Sequence, residues 1–224
     1  MMNYQFSIIK YRLVGLSNLM LLVFCLCSGC KKDNIDETPA DIDFSKNFIE
    51  HTKAGSFWEY TTTQNGDTLT SSPANVFKLT KDSIINGNPY KVFALVQNDG
   101  TQLPFFIYRF VVNSIFEPRL FNGDPENILE VPIVDLNRQL NETWEVQTST
   151  NFKQLLSIDS VGLNFMGFTN VFKVRRESYF NEQVSSISAY YYEASVGLIY
   201  RKTIDEGSNA EFIRQLSDRN IEFN

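Results

Sequence analysis

The sequence predicts an all-β domain of antiparallel strands, laid out as a sheet, sandwich or barrel, behind a leader that is not part of the fold. Three observations carry this expectation. Runs rich in β-branched and aromatic residues recur along the chain, and tight-turn pairs such as Asn65-Gly66 and Asn86-Gly87 separate them. No segment of the domain carries a sustained apolar stripe at the helical period. About eleven strands are expected in all.

Taken in order, the first run is Phe57-Trp58-Glu59-Tyr60-Thr61-Thr62-Thr63, closed by Asn65-Gly66. Asn-Gly favours a two-residue hairpin turn because both residues tolerate positive φ. Residues 76–85 and 90–96 flank Asn86-Gly87-Asn88-Pro89 and form the clearest hairpin in the chain. Asn98-Asp99-Gly100 then turns into residues 103–113, where Phe106, Tyr108, Phe110 and Val112 share one face at a period of two. A loop follows at residues 121–125. Beyond it, residues 144–150, 154–161, 171–180, 184–193, 198–204 and 211–221 read as strands. One helix candidate precedes them at residues 45–53, where Phe44 and Phe48 share a face before Gly55. A Trp-Glu pair opens two of the strands, at Trp58 and Trp144, 86 residues apart. With two tryptophans in the chain, the repetition reads as coincidence.

The first thirty residues belong to a different category. Lys10 and Arg12 precede a fourteen-residue apolar run at 13–26, which is the layout of a secretory signal. A membrane span needs about 20 apolar residues, and Lys31 and Lys32 follow this run too soon. Cys27-Ser28-Gly29-Cys30 resembles the lipobox of bacterial lipoproteins, departing from it at Cys27, where leucine is commoner. The resemblance implies cleavage after residue 29 and lipidation of Cys30. The three cysteines stand at 25, 27 and 30, so the mature chain keeps one and forms no internal disulfide. Acyl chains on Cys30 anchor firmly, at about 0.8 kcal/mol for each buried methylene.

Removing residues 1–29, which hold two basic and no acidic residues, takes the net charge from −6 to −8. Such a balance repels phosphate backbones and argues against nucleic-acid binding. Residues 30–45 are polar, acidic and almost free of aromatics, as expected of a tether. Square-root scaling gives it a reach of roughly 20 Å. Residues 46–224 leave room for one domain.

Several pieces of the mature chain resemble a class of small lipoproteins of unknown function in Bacteroidota. They are Gly55-Ser56-Phe57-Trp58, the stretch Val131-Pro132-Ile133-Val134-Asp135-Leu136 leading to Trp144, and Val196-Gly197-Leu198-Ile199-Tyr200-Arg201 after a tyrosine-rich strand. The resemblance implies a single strongly curved antiparallel sheet, half-barrel or barrel-like, and supplies no activity. Cys30-Lys31-Lys32-Asp33 and its acidic tether also resemble exported lipoproteins of that group. This implies an outer-membrane location, on the periplasmic face or the cell surface. Asp67-Thr68-Leu69, Asp82-Ser83-Ile84 and Asp159-Ser160-Val161 resemble the O-glycosylation acceptor of the same bacteria.

Most familiar chemistries lack their residues. The single His51 sits beside the first strand, and with Cys30 acylated neither a Ser-His-Asp nor a Cys-His arrangement is expected. Zinc has too few ligands. Asp124-Pro125-Glu126-Asn127 and Asp205-Glu206-Gly207-Ser208-Asn209 lack the spacing of a calcium loop and read as turns. No phosphate loop is present, and no metal or cofactor is expected.

Paired carboxylates, as in a glycosidase, would have to come from Glu117, Glu130, Asp159, Glu177, Glu182 or Glu193, and nothing in the spacing selects two of them. The aromatic load is the more telling feature, with 19 Phe and 10 Tyr. Much of it is needed as core filling. Where the concave face of the sheet stays open, Tyr108, Tyr190 and Tyr192 are the candidate ligand-binding residues. Tyr190 and Tyr192 share a face and Tyr191 takes the other. The expectation is a non-catalytic envelope lipoprotein that binds an apolar ligand or an envelope protein on its curved sheet. The alternative is a hydrolase using paired carboxylates.

Overall fold

The computed structural model describes residues 53–69, 76–97, 99–124 and 126–221. Cys30, His51 and residues 45–52 of the helix candidate lie outside this set. The strands are β1 (Phe57–Gln64), β2 (Asp67–Thr68), β3 (Val76–Ile85), β4 (Asn88–Val96), β5 (Gln102–Val111), β6 (Ser114–Leu120) and β7 (Ile128–Asp135). The second half supplies β8 (Thr143–Ser149), β9 (Phe152–Phe165), β10 (Phe168–Phe180), β11 (Gln183–Glu193), β12 (Gly197–Asp205) and β13 (Glu211–Asn220). All belong to one antiparallel sheet in the order β7-β6-β5-β4-β3-β1-β13-β12-β11-β10-β9-β8, with the two-residue β2 folded back on β1. The chain thus runs out along six strands, crosses to the far edge, and returns along six more. The expected all-β class and strong curvature are both present.

Tight turns explain the meander. Asn86 (φ 51°) and Gly87 (φ 80°) link β3 to β4, and Met166 (φ 53°) and Gly167 (φ 81°) link β9 to β10. Asn181 and Glu182, also at positive φ, link β10 to β11. Left-handed values at both central residues match the right-handed twist of the flanking strands.

The two outer strands, β7 and β8, nearly close the sheet into a barrel. They share no backbone ladder. Side chains bridge the seam instead: Trp144 Nε1 donates to the carbonyl of Pro132 at 2.9 Å, and Arg119 donates to Gln154 at 2.9 Å. Nearby, Asn122 accepts the amide of Thr150 at 3.1 Å.

Two buried clusters fill the interior. One gathers Ile115, Ile133, Val134, Trp144, Leu156, Phe172 and Tyr192 near the seam. The other gathers Trp58, Phe77, Leu79, Phe93, Val171 and Ile199 around β1. Among the described residues, every ladder and both clusters lie between Ser56 and Ile221, so a chain beginning at Lys31 keeps all of them.

The repeated Trp-Glu pair has a structural counterpart. Trp58 lies opposite Phe77 on β3, and Trp144 opposite Leu156 on β9. Three residues before each tryptophan, Gly55 and Asn141 take positive φ. Their amides donate to Leu79 and Ile158, each two residues beyond the tryptophan's partner, at 2.8 and 2.9 Å. Each indole N–H then donates to a carbonyl, Trp58 to Val196 and Trp144 to Pro132. The echo is one of local geometry, where the sequence alone favours coincidence.

Two details differ from the expectation. The ten runs named from the sequence are all strands, and β2, β6 and β7 bring the segments to thirteen, close to the expected eleven or so. Pro118 and Pro132 obscure β6 and β7. Proline cannot donate to a ladder, which confines it to edges and irregular points. Pro132 sits on the outer strand β7, and Pro118 lies past Phe116, where pairing with β5 ends. Val112 does not join the inward face of β5. It follows the strand's last residue, Val111, and is 55% exposed.

Candidate ligand-binding site

The barrel interior holds a cavity of about 130 Å³ where the two clusters meet. Period-two alternation delivers its walls. β1 contributes Trp58 and Tyr60, β5 contributes Phe106, Tyr108 and Phe110, and β11 contributes Tyr190 and Tyr192. Phe77 and Phe93 complete the aromatic wall, with Ile115, Ile133 and Leu198 beside them. The structure therefore brings the three tyrosines singled out from the sequence, Tyr108, Tyr190 and Tyr192, into one cavity. Tyr191 points the other way and stacks on Phe165 with ring centroids 4.3 Å apart.

The wall is built ring on ring. Tyr108 stacks on Phe106 at 5.5 Å, and Tyr192 lies parallel to both Phe172 at 5.4 Å and Tyr190 at 6.2 Å. Tyr60 is anchored, its hydroxyl donating to the carbonyl of Leu198 at 2.8 Å. Burial pushes the hydroxyls of Tyr60, Tyr108 and Tyr192 well above the ordinary phenol pKa, so all three are neutral donors at physiological pH.

Charged groups also reach the cavity, and of these the sequence singled out only Glu117, as a candidate carboxylate. Arg176, Arg201, Arg214 and Glu117 line it. Glu117 is engaged by Arg119, whose guanidinium donates to it at 2.7 and 3.0 Å. The guanidiniums of Arg176 and Arg201 lie over the ring of Tyr190, at 4.3 and 5.1 Å, and that of Arg214 lies over Phe77 at 5.3 Å. Burial opposes the charge on Arg176, and the oxygens of Tyr190, Tyr192 and Glu117 outweigh it, so its pKa is raised. Burial, and then the neighbouring charge of Arg201, lower the pKa of Arg214. One signal in the sequence pointed this way. Arg175 and Arg176 are consecutive on a strand, so alternation turns one of them inward.

The six acidic residues considered for paired-carboxylate chemistry are dispersed. Glu130 is held by Arg109 and Tyr90, Asp159 by Lys173, Glu177 by Arg175, and Glu182 by Lys153. Glu193 caps the turn at Ser195. Glu117 alone of the six lines the cavity. Among the described residues no group of three or more His, Cys, Asp or Glu side chains is arranged to hold a metal. The two acidic loops are turns. Asp124 accepts the amide of Glu126 at 2.9 Å, and Asp205 accepts the amide of Ser208 at 2.8 Å.

No family model and no curated protein matches this chain. Two solved structures align with it over 81% of its length and 100% of theirs. One is a protein of Parabacteroides distasonis described as a lipoprotein, at 10% identity and a TM-score of 0.46. The other is a protein of Bacteroides fragilis described as exported and of YmcC-like fold, at 7% identity and a TM-score of 0.47. At these values nothing about ligand or activity passes to this chain.

Proposed function

We propose that the protein is a non-catalytic, membrane-anchored lipoprotein of the cell envelope that holds an apolar ligand inside its barrel. The observation that carries this reading is the aromatic cavity, lined from ten strands and meeting both core clusters. Ligand sites are typically concave and mostly apolar, with a few convergent polar groups. An engineered apolar cavity of about 150 Å³ accepts benzene, which sets the scale of what fits here.

The signal peptide and Cys30 supply the anchor in this account, in the outer membrane, facing the periplasm or the cell surface. Fractionation of cells producing the full chain tests it. The wild type sediments with membranes and carries the mass of a diacylglyceryl group, and Cys30→Ala loses both. The ligand reading is tested by titrating residues 31–224 with octan-1-ol, an uncharged probe, and following tryptophan emission, to which Trp58 in the cavity wall contributes. Saturable change that is lost in Leu198→Phe, which fills the cavity, supports the reading. No response in either protein contradicts it.

A further inference from the structure

Building on the cavity as a ligand site, we propose that the ligand is a small amphiphile with a short apolar tail and an anionic head group, carboxylate or phosphate. Arg201 and Arg214 read that head, with Arg176 beside them. The pair stands directly opposite in the β12–β13 ladder. Like charges in that position destabilise a sheet.

Elsewhere, Arg109, Arg119 and Arg175 on strands and Arg138 in the β7–β8 connection each hold a carboxylate, while Arg219 on β13 lies over the ring of Phe168. Among the described residues, none of the three cavity arginines is bonded to a carboxylate. Arg201 donates through Nε to Thr203 at 2.9 Å, and Arg176 Nε is shut off from solvent with no acceptor. Their aromatic neighbours do not settle the account. A ring occupies the face of a guanidinium, and its N–H donors lie in the plane, where they match the oxygens of a carboxylate or phosphate.

Position gives the amphiphile its orientation. Arg201 and Arg214 also line an adjoining hollow of about 210 Å³ with Thr62 and Thr203. The cations therefore stand between the aromatic cavity and a second hollow, where the hydroxyls of Thr62 and Thr203 sit beside Phe212 and Ile213. A tail in the first leaves its head at the arginines. The cavity's size limits that tail to roughly the carbon count of a benzene ring or slightly more. An acidic chain of net charge −6 that places three arginines around its interior cavity is organised to attract an anion there.

The test titrates residues 31–224 with octan-1-ol, octanoate, octyl phosphate and inorganic phosphate by calorimetry. The expected result is that octanoate or octyl phosphate binds about tenfold or more tightly than octan-1-ol, as charge-assisted hydrogen bonds should provide. The favoured head names the ligand class. In Arg201→Gln and Arg214→Gln that preference falls towards parity, with octan-1-ol still bound as proof of folding, and Arg175→Gln on the surface keeps it.

Equal binding of the alcohol and both anions would overturn the inference and leave the apolar cavity reading standing. Inorganic phosphate binding as tightly as octyl phosphate would overturn it in favour of a site for free anions. Binding of none of the four would remove both readings.

Discussion

Trp144 donates its indole N–H to the carbonyl oxygen of Pro132 at 2.9 Å, across a seam where β7 and β8 share no ladder. Elsewhere in the barrel, adjacent strands are joined by rows of backbone bonds whose individual members matter little. At the seam single side-chain contacts take over. Trp144→Phe keeps the ring and removes the donor, leaving a carbonyl short of a partner at a cost of about 1–3 kcal/mol. Urea unfolding should show a lower midpoint with an unchanged slope, and amide exchange in β7 and β8 should accelerate first. An unchanged midpoint would mean that the seam is held by packing alone.

Phe172 is fully buried and lies parallel to Tyr192, behind the cavity wall. Phe172→Ala should cost about 3–5 kcal/mol, because the surrounding strands are hydrogen-bonded and cannot collapse into the void. A thermal or urea denaturation series checks this. A loss under about 1 kcal/mol would indicate that the strands do repack.

Gly87 occupies the second position of the β3–β4 turn at φ 80°, and a Cβ there would meet no atom within 4 Å. The cost of Gly87→Ala is therefore one of backbone conformation, about 1–2 kcal/mol. Equilibrium unfolding should report a drop of that size. A neutral result would show that the turn relaxes to another type.

Glu130 ties together Arg109 on β5 and Tyr90 on β4. Burial raises its pKa, but the hydrogen bonds from Arg109 and Tyr90 outweigh burial, so the net shift is below the ordinary 4.5. The folded state therefore holds the carboxylate more firmly than the unfolded chain does. Its contribution is fully present above pH 4.5 and fades as pH falls through the lower folded value. Stability of the wild type should decline more steeply below pH 4.5 than that of Glu130→Gln. Parallel declines in urea midpoints across that range would contradict this linkage. The same network pushes the Tyr90 hydroxyl up to about 12, chiefly through burial and then through Glu130.

Much of the fold could be read from residues whose reasons are local. Asn86-Gly87 announces its hairpin because both positions need positive φ, and Tyr190-Tyr191-Tyr192 declares two faces because strands alternate. What escaped reading depended on position in the sheet. Pro118 and Pro132 argue against strands until it is known that one strand is at the sheet edge and the other has left its neighbour. The cavity was half legible: the tyrosines were found through aromatic load. The arginines were not, because an inward arginine looks like any surface arginine until register places Arg201 opposite Arg214. That juxtaposition joins residues thirteen apart, and no local pattern contains it.

The most direct test of a ligand-holding barrel is native mass spectrometry of residues 31–224 exported in the source bacterium and purified without detergent, set against the denatured mass. The account predicts an additional small mass that leaves on denaturation and is missing from Leu198→Phe. A wild-type mass identical in both conditions, from protein whose cavity also ignores octan-1-ol, would contradict it.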